Sequence, residues 1–227
     1  MATTTTTTAS SHGFAFERRI GYLLEKLKDA LDASANGWLV IIHDEQGIRD
    51  FFKEQSLNGV DHLVQVQDPN GQQHVFFIQE KWKLVTNQRE VSQFLDCCAR
   101  ILARMPDYKG LIHRLWVSRT VPSSNGEKSL QEGQCIVVQT CTSQSLLALN
   151  AILMISEILG CRDLAVGLIS SLGSFLPKAE EAIVDPKEVA AQAQAQQQTT
   201  FQPVSDFGEK RVLPITNKTV VIVKKAD

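Results

Sequence analysis

An aspartate, a glutamine and a lysine meet if residues 59–83 fold as a β-hairpin, because Asp61 opens one apolar run and Gln79-Glu80-Lys81 closes the next. Between the runs, Asp68-Pro69-Asn70-Gly71 puts proline at the second turn position and a glycine where positive φ is needed, so the flanking segments are expected to pair antiparallel. Side chains two apart on a strand share a face, so Gln79 and Lys81 point together and Glu80 points to the opposite face. An acid, an amide oxygen and an ammonium on one patch can hold a divalent cation through oxygen ligands and set a lysine beside it. That is the minimum equipment for hydrolysing a phosphodiester.

The elements that must position this patch are readable from periodicity. Phe16, Ile20, Leu23, Leu24, Leu27 and Leu31 recur at helical spacing and predict a helix over 14–32, with Ser10 or Ser11 available as its cap. Residues 38–42 read as a buried strand, and 44–52 as a short helix or a loop near the patch. After the hairpin, Val91, Phe94, Leu95, Cys98, Ile101 and Leu102 predict a second helix that ends before Pro106. Residues 110–120 predict a strand, 122–128 a polar loop, 135–141 another strand, 143–159 a strongly apolar helix capped by Ser143, and 161–176 a further helix. A helix leading into a hairpin-containing mixed sheet, followed by a crossover helix, gives an α/β sandwich.

Composition bounds the rest. The 227 residues allow one domain of about 150–180 residues plus tails. Residues 1–12, with six consecutive threonines, are expected to be a disordered tail. The folded α/β domain is placed at 13–176, an Ala/Gln-rich linker at 177–211, and a C-terminal segment at 212–227 whose 219–223 stretch has strand composition. That strand is free to dock on a sheet edge of its own core or on a partner. Cys97, Cys98, Cys135, Cys141 and Cys161 are odd in number and form no CxxC pair, so they read as reduced thiols packed in an intracellular protein, cytoplasmic or nuclear. No run of about 18 apolar residues suggests a membrane span. The formal net charge is −2, which argues against a wholly basic nucleic-acid coat, yet 74–120 carries eight Lys and Arg against four Asp and Glu. Trp82 and Trp116 read as core or rim aromatics, Cys97-Cys98 as packing, and His12, His43, His62, His74 and His113 show no metal-ligand spacing.

Gly13-Phe14-Ala15-Phe16-Glu17 opening the first helix, Gly59-Val60-Asp61 opening a strand, and Ile78-Gln79-Glu80-Lys81-Trp82 closing its partner follow one another as in a known family. Over roughly residues 13–120 the chain resembles the PD-(D/E)xK nuclease superfamily, and within it the Mrr-like restriction endonuclease group, whose members often carry Gln in place of the second acid. The resemblance implies a restriction-endonuclease-like three-layer sandwich, with a mixed central β-sheet flanked by helices. It implies that Asp61 is the central metal ligand, that Gln79 ligates through its side-chain oxygen, and that Glu17 completes the metal shell directly or through water. The backbone carbonyl of Glu80 stands where the family commonly offers a further ligand, and Lys81 would position the attacking water and stabilise developing charge. The implied cofactor is Mg2+, with Mn2+ able to substitute, and the implied partner is DNA. Lys83, Arg89 and Arg119 in the basic segment beside the site are the candidate contacts to it. The resemblance also implies a homodimer, for which the apolar helix from Ser143 would supply an interface. The activity implied is metal-dependent DNA endonuclease of restriction, repair or recombination type. The alternative is a nuclease-fold protein that no longer cuts and serves in nucleic-acid binding or assembly, for which neutral Gln79 leaves room.

Overall fold

The computed structural model describes residues 8–83, 85–139, 143–172 and 220–222. Its elements run α1 (Thr8–Ala33), β1 (Leu39–Asp44), α2 (Glu45–Phe52), β2 (His62–Gln67), β3 (Gln73–Lys81), α3 (Gln88–Ala103), β4 (Leu111–Ser118), α4 (Ser124–Glu132), β5 (Ile136–Gln139), α5 (Gln144–Ile158), α6 (Arg162–Leu172) and β6 (Val220–Ile222). The strands form one mixed sheet in the order β1-β2-β3-β4-β5-β6. The pairs β1/β2, β2/β3 and β5/β6 are antiparallel, and β3/β4 and β4/β5 are parallel. Each parallel pair needs a crossover, and α3 and α4 supply them.

The two faces of the sheet bury different helices. On one face, Val64, Phe76, Ile78, Leu115 and Val117 pack against Phe16, Ile20, Leu23, Leu24 and Leu27 of α1 and against α5 and α6. On the other, Leu63, Val75, Phe77 and Trp116 pack against Val91, Phe94, Cys98 and Ile101 of α3, with Ile48 of α2 and Leu130 of α4. The period-two alternation of β3 and β4 is therefore resolved into two apolar layers, and helices cover both.

The hairpin forms as its turn residues require. Gly71 takes φ 80° and its amide donates to the Asp68 carbonyl at 2.9 Å. The Asp68 carboxylate accepts from the amides of Asn70 and Gln72 at 2.9 and 2.7 Å, so one residue fixes the turn and with it the register Gln67↔Gln73 through His62↔Ile78. At α3, Asn87 accepts from the Glu90 amide at 3.1 Å while Glu90 reaches back to the Asn87 amide at 3.2 Å, a capping box that starts the helix after the basic Lys81–Lys83 segment.

Several expectations need correction. Helix α1 begins at Thr8 rather than near Phe14, so residues 8–12 of the expected disordered tail are helical. Each adds a backbone hydrogen bond to an already nucleated helix, and burial is not required for that. The expected polar loop at 122–128 is mostly helix α4, capped by Ser123, whose hydroxyl faces the Gly126 amide at 3.4 Å. Helix α5 is not an open interface, because Leu147, Ala148 and Asn150 through Ser156 are buried within the chain's own core against α1 and α6. The end segment docks on its own sheet, with Val220–Ile222 pairing antiparallel to β5. The linker at 177–211, residues 1–7 and Cys141 lie outside the described residues. The four other cysteines are free thiols, and burial pushes those of Cys97 and Cys161 up to about 11, which leaves them as packing groups. Among the described residues no helix is long and apolar enough to cross a membrane.

At the end of the sheet remote from Lys81, His74 Nδ1 lies 3.2 Å from His113 Nε2, and the His113 ring stacks on Phe76 at 4.6 Å between centroids. Burial, with His74 adding to it, lowers the His113 pKa to about 4. A base whose folded pKa lies below its unfolded value binds more protons when unfolded, so this stabilisation is complete above about pH 6.5 and declines as pH falls toward 4. Allowing for solvent screening, the stability difference between the wild type and His113→Phe is expected to move by roughly 1–2 kcal/mol between pH 7 and pH 5, to the wild type's disadvantage in acid. Urea denaturation of both proteins at the two pH values measures it.

Candidate active site

The hairpin register delivers the central residues to one corner. The Asp61 amide donates to the Ile78 carbonyl at 2.9 Å, which anchors Asp61 just before β2 and beside the end of β3. Its Oδ2 accepts from Gln79 Nε2 and, at 2.7 Å, from the Glu80 amide, and Lys81 Nζ stands 3.9 Å from the same oxygen. All three donors converge on Oδ2, which leaves Oδ1 without a protein donor among the described residues. Asp61 is mostly buried, and its pKa is raised because burial disfavours the charged form more than the Lys81 charge and the Glu80 amide favour it.

Glu17 faces the same place from α1. Together with Asp61 and His62 it lines a cleft of about 520 Å3, whose other wall is formed by Ile42 to Gly47 at the turn from β1 into α2. The Glu17 pKa is raised by partial burial and then by the Asp61 charge, while Lys81 opposes the rise. The Asp61 charge raises the cost of ionising Glu17 by more than the Lys81 charge lowers it, and that surplus of negative charge suits a cation. Glu45, at the first turn of α2, adds to it. The loop-or-helix segment 44–52 is thus helical, capped by Asp44 Oδ1 on the Gly47 amide at 2.7 Å, and it does approach the site.

The other ligands implied by the resemblance are partly in place. Gln79 presents its amide nitrogen to Asp61, and its side-chain oxygen reaches a shared cation only after the amide rotates about its terminal torsion, which is broad and two-fold. In an extended strand the N–H and C=O of one residue point to the same neighbouring edge, so the Glu80 carbonyl faces the Asp61 side, as its amide does. Among the described residues no group of three or more His, Cys, Asp and Glu stands ready to hold a metal ion. The donor set of Asp61, Glu17, the Gln79 oxygen and the Glu80 carbonyl is all oxygen, and that fits Mg2+, which keeps several waters and needs few protein ligands.

The proposed DNA contacts differ among themselves. Arg89 is exposed on the first turn of α3, Lys83 forms an ion pair with Glu90, and the Arg119 guanidinium lies 5.2 Å from the centroid of the Trp82 ring. Trp82 in turn packs 5.6 Å from Phe16, so this indole is a rim aromatic that ties the site to the α1 core. Trp116 is fully buried against Phe94.

Sequence reading missed His62 and the Glu80 side chain. On the face opposite Gln79, His62 Nδ1 lies 2.8 Å from Glu80 Oε1, and both residues are buried. Burial lifts the Glu80 pKa to about 7 against the pull of His62; burial also lowers His62, but the Glu80 charge and hydrogen bond reverse this and leave it raised. The signal was present: His62 and Glu80 both occupy the core-facing parity of adjacent strands, and ionisable groups there must find each other.

No protein-family model, curated protein or solved structure matches this chain. The class of the protein therefore rests on the mixed α/β sheet, the helices on both its faces and the acid-amide-lysine corner at the end of the hairpin.

Proposed function

We propose that the protein is a metal-dependent DNA endonuclease with a restriction-endonuclease-like three-layer core, hydrolysing phosphodiester bonds at the corner built by Asp61, Gln79, Lys81 and Glu17. The observation that carries the reading is Lys81 Nζ at 3.9 Å from a mostly buried aspartate that also faces a second carboxylate across an open cleft. Asp61 Oδ1 and Glu17 would hold a divalent cation with the Gln79 oxygen and the Glu80 carbonyl. When bound, the cation polarises the phosphate and lowers the pKa of a ligated water.

The chain's own groups do the rest. Gln79, the Glu80 amide and Lys81 fix the Asp61 carboxylate through Oδ2, so its other oxygen is presented in one orientation. Lys81 carries positive charge 3.9 Å from Asp61, which lines the cleft; negative charge on a phosphoryl group held there would grow as a water attacks, and a preorganised charge counts most at that point. Arg89 on α3 and Arg119 beside Trp82 would contact the flanking phosphates, which position the substrate without reading its sequence.

A second reading is favoured by the absence, among the described residues, of three metal-ligating His, Cys, Asp or Glu side chains: a nuclease-fold protein that binds DNA without cutting it. Purified full-length protein incubated with supercoiled plasmid and with a branched DNA, in Mg2+ and then Mn2+, separates the two. Cutting is expected in metal, loss of cutting in EDTA, and a fall of about 10^2- to 10^3-fold in Lys81→Ala. Salt-sensitive DNA binding with no cutting in either metal supports the second reading instead.

A further inference from the structure

We infer that His62 contacts the substrate directly, its Nε2 donating a hydrogen bond to an oxygen of the phosphodiester held in the cleft, with buried Glu80 as the residue that positions it. The inference rests on the endonuclease reading and adds to it a group that the acid-amide-lysine motif does not contain. Four observations carry it. His62 is among the residues lining the cleft, between Asp61 and the α1 wall. Its side chain is 8% exposed, so its orientation is fixed by packing. Nδ1 is engaged by Glu80 Oε1 at 2.8 Å, while Nε2 has no protein partner among the described residues. Finally, α1 carries a glycine where the ring arrives: a Cβ on Gly21 would stand 2.9 Å from Nε2, so the missing side chain leaves Nε2 its space.

Charge balance decides what Nε2 offers. A buried carboxyl and imidazole in contact avoid a net charge, since a lone buried ion costs more than a matched pair. The neutral pair holds one proton on the line between Nδ1 and Oε1 and a second on Nε2, whichever partner formally owns the first. Nε2 is therefore a donor. The cleft's other side chains include the acids Glu17, Glu25, Asp44, Glu45 and Asp61 beside the cationic Arg18 and the imidazole of His43, so acids predominate around this N–H. An anionic oxygen drawn to a cation beside Asp61 and Glu17 would find in His62 a neutral-pair donor that does not repel those carboxylates' cation, on the opposite side of the site from Lys81. The hydrogen bond from the fixed imidazole to an anionic oxygen belongs to the stronger, charge-assisted kind.

Two substitutions divide the ring between its nitrogens. The amide of His62→Asn can reach Glu80 but not the cleft, and that of His62→Gln places its nitrogen near the position of Nε2. If His62 serves only the core, Asn is the milder change; if it contacts substrate, Gln is. Full-length protein is titrated with a short oligothymidylate in Ca2+, by fluorescence anisotropy and with the histidine ring 15N resonances followed by NMR. The expected result is a shift of the His62 Nε2 resonance on binding, an affinity loss of about 10- to 100-fold in His62→Asn, and a smaller loss in His62→Gln. Gly21→Ala, at a helical position where alanine is well tolerated by the backbone, is expected to weaken binding like His62→Asn by filling the space above Nε2. Binding with the His62 resonance unmoved, or with His62→Asn as tight as wild type, overturns the inference and leaves the endonuclease reading standing if plasmid is still cut. No binding together with no cutting removes the reading, and the inference with it.

Discussion

Asp61→Asn is expected to abolish metal-dependent cleavage, by at least about 10^3-fold, while leaving the fold at least as stable as wild type. The two halves of this expectation have one cause. Asp61 is held mostly buried, where its ionised form costs more than the Lys81 charge and the Glu80 amide return, so its pKa is raised. A carboxyl with a raised folded pKa opposes folding when ionised, and the opposition grows as pH rises above its unfolded value. Asparagine keeps the shape and an oxygen to accept from the Glu80 amide, and it removes the buried charge. It also removes the anionic oxygen that a cation would need. Thermal melting of the two proteins near pH 7, beside plasmid cleavage in Mg2+, checks both halves. A variant that melts much lower than wild type would mean that Asp61 is a structural ion-pair partner of Lys81, and the loss of activity would then say nothing about chemistry.

Trp116→Ala is expected to cost about 3–5 kcal/mol, a large share of the roughly 5–15 kcal/mol that holds a typical domain together. Trp116 is fully buried on β4, pairs in register with Gln79 across the parallel β3/β4 contact, and packs against Phe94 of α3 at 5.7 Å between ring centroids. Truncation would open a cavity in the layer that supports the site-bearing end of β3. Its indole Nε1 is buried with no hydrogen-bond partner among the described residues, so Trp116→Phe, which removes that donor and most of the volume change, should cost much less. Chemical denaturation of the two variants gives the contrast, and equal losses would show that the ring's packing against Phe94 is not what β4 contributes.

How much of this was legible in the sequence differs from element to element. The hairpin was, because Asp68-Pro69-Asn70-Gly71 admits few turn geometries and the turn sets the register that brings Asp61 to Gln79 and Lys81. Helix α1 was legible from its apolar spacing, apart from its first turns, and β1, α3, β4, β5, α5 and α6 from theirs. Helix α4 was not, since Gly126 and Leu130 are its only fully buried residues and a segment that buries so little carries almost no periodic signal; only Ser123 and Glu127 hinted at a start. The burial of α5 on every side could not be told from an exposed apolar helix by composition alone, because a helix apolar all round says that it is covered without saying by what. The His62–Glu80 pair was legible in principle: the alternation that sends Gln79 one way sends Glu80 toward the α1 layer, where only another polar group can receive it. Glu17 was matched to the site by resemblance, and in the structure the cleft puts it across from Asp61.

The measurement closest to the central claim is Mn2+ titration of the full-length protein, followed by paramagnetic broadening of its backbone and side-chain NMR signals. Signals of Glu17, Gly21, Asp61 and the Gln79 side-chain amide are expected to broaden first and together in the wild type, and in Asp61→Asn they should persist to much higher Mn2+. Broadening that spreads over exposed acids elsewhere and leaves this corner sharp, or that is the same in both proteins, would contradict a divalent-cation centre at Asp61.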